Sequence, residues 1–448
     1  MRIAFAINGT RGDVQPALTL AHALESRGHD VRAGVPPNLC ALAEPYGLDL
    51  RPLGPDTRAQ IAAIAAARAE AGRNPLRRLR ALGELRDLGW SQLVADIGEL
   101  VTDADVIVTG FTTEQIALAY AERMSAARAS VNRAPVPVIS LHHAPVRPNG
   151  RVGPLPSAGS RRGGPVHAAV TRAQWSMVNH AFWLLTRGRE NRLRVRLGGR
   201  PVGGTFIARM SRAPGIEIQA YDRLFAIHDD RRWNRDSVMR RRPVVGFLEP
   251  GPDIAVPTDA GDVSALNRWL DDGEPPIYLG FGSMPMRDPA ATMAVARAAA
   301  RRLGRRVLVC TGWNDISDRK FGTDAAIVPA VDHRAVFRRC AAVVHHGGAG
   351  TTAAALRAGT PSVICWYGSD QPFWGSEVER VGAGVALPVR RLDTDRLTVA
   401  LRTVLARDMR RQARTLAKRV TAPEVAVRQA ATEIESVVAE HRRLIACA

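Results

Sequence analysis

The chain has 448 residues, 46% of them hydrophobic and 23% charged, which suits two domains with separate cores and a globular fold rather than a membrane or disordered chain. Its formal charge of +19 is almost all arginine, Lys320 and Lys418 being the only lysines; the arginines are spread out, without a basic arm or aromatic-interleaved motif, which argues against specific nucleic-acid recognition. The apolar run Ile3 to Ile7 is too short for a signal-peptide core, no later run has bilayer length, and Cys40, Cys310, Cys340, Cys365 and Cys447 show no CxxC or zinc-ligand spacing, so a cytoplasmic protein with reduced structural thiols and no metal site is expected.

In chain order, Arg2 to Ile7 reads as a buried parallel strand and Pro16 to Ser26 as the helix after it, with Gly28 as its stop. The loop between them, Asn8-Gly9-Thr10-Arg11-Gly12-Asp13-Val14-Gln15, is not GxGxxG, so a dinucleotide fingerprint fits poorly. Val31 to Val35, Asp105 to Val108 and Pro137 to Leu141 supply further strands. Ala59 to Leu100 reads as helices broken near Asn74-Pro75. The segment 159–204 mixes Arg161, Arg162, Trp175, Trp183, Arg187, Arg189, Arg192, Arg194 and Arg196. Two readings of it stand: a helix and loop that flank an acceptor and rest on an anionic membrane surface, or a packed helix with a solvated basic face. His142-His143 ends a strand, either as an ordinary loop pair or, with Trp183, as part of an acceptor pocket.

Pro243 to Phe247 looks like the last strand of the first half, and the turn-rich 247–262 like a linker. Domains are therefore expected at 1–246 and 263–423, with a helix over 424–448 returning to the first domain. In the second half, Pro276 to Leu279 runs into Gly280-Phe281-Gly282-Ser283, and Val307 to Cys310 runs into Thr311-Gly312-Trp313. Val343-Val344 leads through His345-His346-Gly347-Gly348-Ala349-Gly350 into the helix formers from Thr351 to Arg357, closed by Gly359 and Pro361. A strand, a glycine turn and a helix start make an anion site, because the helix tip carries free N–H groups and a positive dipole end. A further strand, Ser362 to Trp366, ends at Asp370 and Gln371, whose donors and acceptors suit sugar hydroxyls. Asp393-Thr394-Asp395 has the form of a metal-binding DxD, but it precedes a helical run and reads as a cap.

HHGGAGTT followed by AGTP and GSDQPFWG resembles the donor signature of GT-B nucleotide-sugar glycosyltransferases, most closely the bacterial glycopeptide and glycopeptidolipid enzymes and the sterol glucosyltransferases. The resemblance implies an α/β fold of two Rossmann-like domains facing across a cleft. It implies that Asp13, where many relatives carry histidine one residue after the glycine, is the general base on the acceptor hydroxyl; capping of the next helix is the competing role. It also implies donor contacts from Arg11, Gly12, Gly282, Ser283, Trp313, Val331, His346, Gly348, Gly350, Thr351, Asp370 and Gln371, with Val331 acting through its backbone and His346 on a phosphate. Where plant relatives hold the ribose with glutamate this chain has Ala354, which leaves UDP and dTDP both open.

The expected activity is inverting, metal-independent transfer of a hexose from a UDP- or dTDP-sugar, used as co-substrate without a cofactor, to a hydroxyl of a lipophilic natural product or lipid: a glycopeptidolipid, a glycopeptide aglycone or a sterol-like acceptor. A catalytically silent nucleotide-sugar-binding protein and a polyanion-binding protein are the alternatives.

Overall fold

A computed structural model describes residues 1–70, 89–154, 164–225, 240–254, 263–286, 288–314 and 320–446. The Asn74-Pro75 break, Arg161, Arg162, Cys447 and the 255–262 part of the expected linker lie outside these residues. The chain divides into a first unit, Met1–Ile254 with Thr421–Ala448, and a second, Ala255–Val420.

The first unit is built on six parallel strands: β1 (Arg2–Ala6), β2 (Asp30–Val35), β3 (Asp49–Pro52), β4 (Val106–Gly110), β5 (Val138–His142) and β6 (Gly215–Gln219), in the order β3-β2-β1-β4-β5-β6. β1, β4 and β5 are apolar or β-branched runs buried on both faces, as a sheet covered by helices requires. The helices used below are α1 (Arg11–Glu25), α2 (Glu114–Ala129) and the 32-residue α3 (Pro165–Arg196). The C-terminal helix Pro423–Ala446 packs on α1 and β6, and its Glu435 takes Arg27 at 2.8 Å and His29 at 3.0 Å.

The second unit carries β7 (Ile277–Gly280), β8 (Val307–Cys310), β9 (Lys320–Phe321), β10 (Ala325–Val328), β11 (Ala342–His345), β12 (Ser362–Trp366) and β13 (Gly384–Pro388). Their order is β13-β12-β11-β7-β8-β10-β9, all parallel except β9, which runs against β10. Without that edge strand, the order repeats the one in the first unit. Both sheets therefore reverse direction of winding once, between β1 and β4 and between β7 and β11. A crevice opens beyond the strand ends at such a reversal, and this is where doubly wound sheets take ligands.

Two expectations are corrected. Pro243 to Phe247 forms only a single bridge, Gln219 to Val244, rather than a strand, in keeping with a proline that has no N–H to give a ladder. The first helix begins at Arg11 rather than Pro16, because Thr10 and Asp13 cap it: the Asp13 carboxylate accepts from the Thr10 N–H at 2.8 Å and the Thr10 hydroxyl at 3.3 Å. Pro16 then sits inside the helix, where its missing N–H leaves one rung unmade.

Candidate active site

At the first reversal, β1 ends in Asn8-Gly9-Thr10 and β4 in Gly110 to Thr113. Two threonines lock these loops together: Thr113 Oγ1 donates to the Ala6 carbonyl and Thr112 Oγ1 to the Asn8 carbonyl, each at 2.7 Å. Asp13 is thus fixed at the carboxyl end of the central strand by its own capping bonds. Gly9, at φ +153°, makes room for it, since a Cβ there would stand 2.3 Å from Asp13 Oδ2. Arg11 reaches along α1 to Gln15 at 3.1 Å, and Gly12 is exposed beside it.

The histidine pair divides. His143 lies half-buried against Asp13: burial lowers its pKa, and the aspartate charge opposes that shift. His142, expected in the acceptor pocket, points instead into the core and is 1% exposed. Its Nε2 meets Glu114 Oε1 at 2.8 Å, while Arg147 donates from Nη2 to Glu114 at 2.6 Å and from Nε to Glu217 at 2.8 Å. Arg242 adds a bond from Nε to Glu217 Oε2 at 2.7 Å. Burial alone would raise the Glu114 pKa, but Arg147 and His142 draw it down to about 2; Glu217 is likewise lowered by its arginines against burial. This ion cluster, which no local sequence pattern announces, pins the first turn of α2 to the end of β5 and the middle of β6. Trp183, on α3, is partly exposed with the Arg187 guanidinium 5.2 Å from its ring centre.

At the second reversal, β7 opens into Phe281-Gly282-Ser283 and β11 into His346-Gly347-Gly348. The His346 ring lodges between two glycines: a Cβ on Gly282 would lie 3.3 Å from its Cε1, and one on Gly348 only 2.6 Å from its Nε2. Gly347, at φ +90°, turns the chain there. Burial lowers the His346 pKa to about 4, so its ring is neutral near pH 7, and its buried Nδ1 has no hydrogen-bond partner. His345 is wholly buried; its Nδ1 accepts from the Gly347 N–H at 3.1 Å, which places its proton on Nε2. From Gly348 starts α4 (Ala349–Ala358), whose N-cap offers no side-chain acceptor, so the N–H groups of Ala349, Gly350 and Thr351 lie at an uncapped helix tip.

Around that tip, the loops after β7 and β8 are tied together. Trp313 N–H donates to the Gly282 carbonyl at 3.1 Å, and Asn314 Oδ1 accepts from Met286 N–H at 2.7 Å. Ser283 and Trp313 stay partly exposed, whereas the Val331 side chain is buried. After β12, α5 (Gln371–Arg380) begins at Asp370. The expected sugar ligands also serve their own loop: Gln371 Oε1 accepts from Tyr367 N–H at 2.8 Å, and Asp370 Oδ2 accepts from Trp374 Nε1 at 3.0 Å. Asp393 accepts from Arg396 N–H at 2.8 Å, a helix cap. Among the described residues no group of three or more His, Cys, Asp or Glu is placed to hold a metal ion, and no helix is long and apolar enough to cross a membrane.

Acid should loosen the fold through its histidines. Burial holds His142, His345 and His346 below their ordinary value, so between that value and about 4 for His346 the unfolded chain binds protons that the folded chain refuses. Stability must then fall as pH drops, by at most about 1.4 kcal/mol per pH unit for each group and less for the partly exposed His346. The urea midpoint should be lower at about pH 5 than at neutrality; equal midpoints would contradict the neutral burial of these rings.

Two doubly wound sheets of one winding order, one with an uncapped helix tip after a glycine turn at its reversal point, have the architecture of the GT-B fold. Residues 3–81 match the glycosyltransferase family 28 N-terminal domain, and residues 321–440 match the erythromycin biosynthesis protein CIII-like C-terminal domain. An uncharacterized glycosyltransferase of Mycobacterium leprae is 34% identical over 99% of this chain and 98% of its own length. The vancomycin aglycone glucosyltransferase of Amycolatopsis orientalis is 29% identical over 95% of this chain and 96% of its own. The crystal structure of the glycosyltransferase VinC in complex with dTDP superposes with a TM-score of 0.63 at 18% identity, covering 98% of this chain and 100% of that one. The chain belongs to the UDP-glycosyltransferase-like GT-B glycosyltransferases, a family that includes enzymes acting on natural products.

Proposed function

We propose that the protein transfers a hexose from a UDP- or dTDP-sugar to a hydroxyl of a lipophilic natural product, with inversion at the anomeric carbon. The observation that carries this reading is the uncapped start of α4 with the neutral His346 ring seated between Gly282 and Gly348. Such a tip favours the diphosphate most when it departs with added charge. The Gly348, Gly350 and Thr351 segment would line the pyrophosphate, with Ser283 on a phosphate, Trp313 and the Val331 backbone near the base, and Asp370 and Gln371 on the sugar. The acceptor oxygen attacks the anomeric carbon as the bond from that carbon to the phosphate oxygen breaks. The acceptor proton passes to Asp13, and the electron pair leaves with the diphosphate.

Support for the acceptor class comes from the relative named for a glycopeptide aglycone, and for the donor class from the neighbour solved with dTDP. A thermal-shift panel of UDP- and dTDP-sugars is the test, since a ligand bound only by the folded state raises the melting temperature. At about a hundredfold excess over Kd, one nucleotide series should stabilise the protein by about 2.7 kcal/mol, and the loaded donor should then support transfer to a lipophilic alcohol. No shift with either series would overturn the donor assignment. A shift without transfer would leave a binding protein instead of an enzyme.

A further inference from the structure

One face of α3 is packed on the first unit through Thr171, Trp175, Thr186, Glu190 and Leu193, with Trp175 Nε1 donating to the Val152 carbonyl at 2.8 Å. The opposite face carries Val166, Val170, Met177, Leu184 and Val195, which are 76%, 52%, 59%, 56% and 55% exposed. At about 100° per residue, these five side chains fall within roughly 40° of one another around the helix axis. An apolar stripe therefore runs from Val166 to Leu184 in contact with solvent, with the exposed Leu185 at its edge and Val195 further along the same line. Scattered exposed apolar residues are ordinary, but an aligned row of this length marks a surface that is covered in use.

The charges beside the stripe indicate what covers it. α3 carries six arginines, Arg172, Arg187, Arg189, Arg192, Arg194 and Arg196, against one acid, Glu190, which is buried and paired with Arg209. Arg187 and Arg192 fall on opposite sides of the stripe, and both are exposed, as is Arg196 one turn further on. A second copy packed along this helix in the same direction would set arginine against arginine, and one packed in the opposite direction would offer those arginines no exposed acid on α3. A surface with anionic groups above an apolar layer satisfies both features.

We propose that α3 is a docking helix for anionic lipid bilayers. Its stripe from Val166 to Leu184 lies in the acyl boundary, and Arg187, Arg192 and Arg196 engage lipid phosphates. The inference rests on this surface alone and stands or falls separately from the choice of sugar donor and acceptor.

The test is co-sedimentation of the full chain with phosphatidylcholine vesicles, with and without phosphatidylglycerol. Wild type should sediment with the anionic vesicles only. The double variant Met177→Ser with Leu184→Ser keeps every charge and alters exposed positions, so its melting curve should match wild type while its vesicle affinity falls by about tenfold. Arg187→Gln with Arg192→Gln should weaken binding and make it less sensitive to salt. Three results would overturn the proposal: no sedimentation of wild type, undiminished binding by the serine variant through net charge alone, or a solution dimer that the serine variant dissolves.

Discussion

Asp13→Asn should abolish sugar transfer while leaving the protein folded and able to bind its nucleotide. Asparagine keeps an oxygen that can accept from the Thr10 N–H, so the cap on α1, made by Asp13 at 2.8 Å, survives the change. What disappears is the capacity to take a proton. Loss of a positioned general base costs about 10²- to 10⁴-fold in rate, or roughly 3 to 5 kcal/mol of transition-state stabilisation. The cap alone is worth only about 1 kcal/mol, so a purely structural role predicts at most a small shift in melting temperature and an unchanged kcat. Asp13→Ala would confound the two, because it removes cap and base together. Three measurements on Asp13→Asn separate them: the melting temperature, the nucleotide affinity and kcat. A folded variant with wild-type turnover would exclude Asp13 as the base. Gly9 belongs to the same arrangement, since any Cβ at that position would displace the carboxylate.

The elements that position this chemistry were legible in the sequence where one strong local signal decided the structure. β1, β4, β5 and β11 are short apolar runs bounded by glycine or polar turns, and β11 is followed by a glycine turn and helix formers. Nothing distant had to be known to place a helix tip after His346. The start of α1 is not legible because two local signals compete there: Pro16 favours a first turn, yet the reciprocal Thr10 and Asp13 bonds begin the helix five residues earlier. In the pair His142 and His143, alternation along a strand says that neighbouring side chains face opposite ways, but not which of them faces the core. That choice is made by Glu114 and Arg147, which lie 28 residues before His142 and 33 residues after Glu114. Charged residues so far apart in sequence carry no periodicity that could announce a buried cluster.

That cluster supplies the second large effect: Arg147→Leu should destabilise the first unit by about 3 to 5 kcal/mol. Arg147 is fully buried and bridges two buried carboxylates, Glu114 at 2.6 Å and Glu217 at 2.8 Å. Its loss strands Glu114 in the core, where burial pushes a carboxyl up and Arg147 and His142 hold it at about 2. Glu217 keeps Arg242 at 2.7 Å, so Glu114 should bear most of the cost. A lysine is a poor substitute, since one ammonium cannot reproduce the fixed fork that reaches both acids. Restoring neutrality should recover part of the loss, so Arg147→Leu with Glu114→Gln should be more stable than Arg147→Leu alone. Because a domain of this kind holds only about 5 to 15 kcal/mol in total, the single variant should show a lower urea midpoint and accumulate less soluble protein. The damage should also reach the chemistry. Glu114 opens α2 directly after Thr112 and Thr113, whose hydroxyls fix the Ala6 and Asn8 carbonyls next to Asp13. Residual folded Arg147→Leu should therefore turn over more slowly than wild type at equal nucleotide occupancy. An Arg147→Leu protein with an unchanged urea midpoint would mean that the cluster contributes nothing net to the fold, and the link from buried charge to the placement of Asp13 would fail with it.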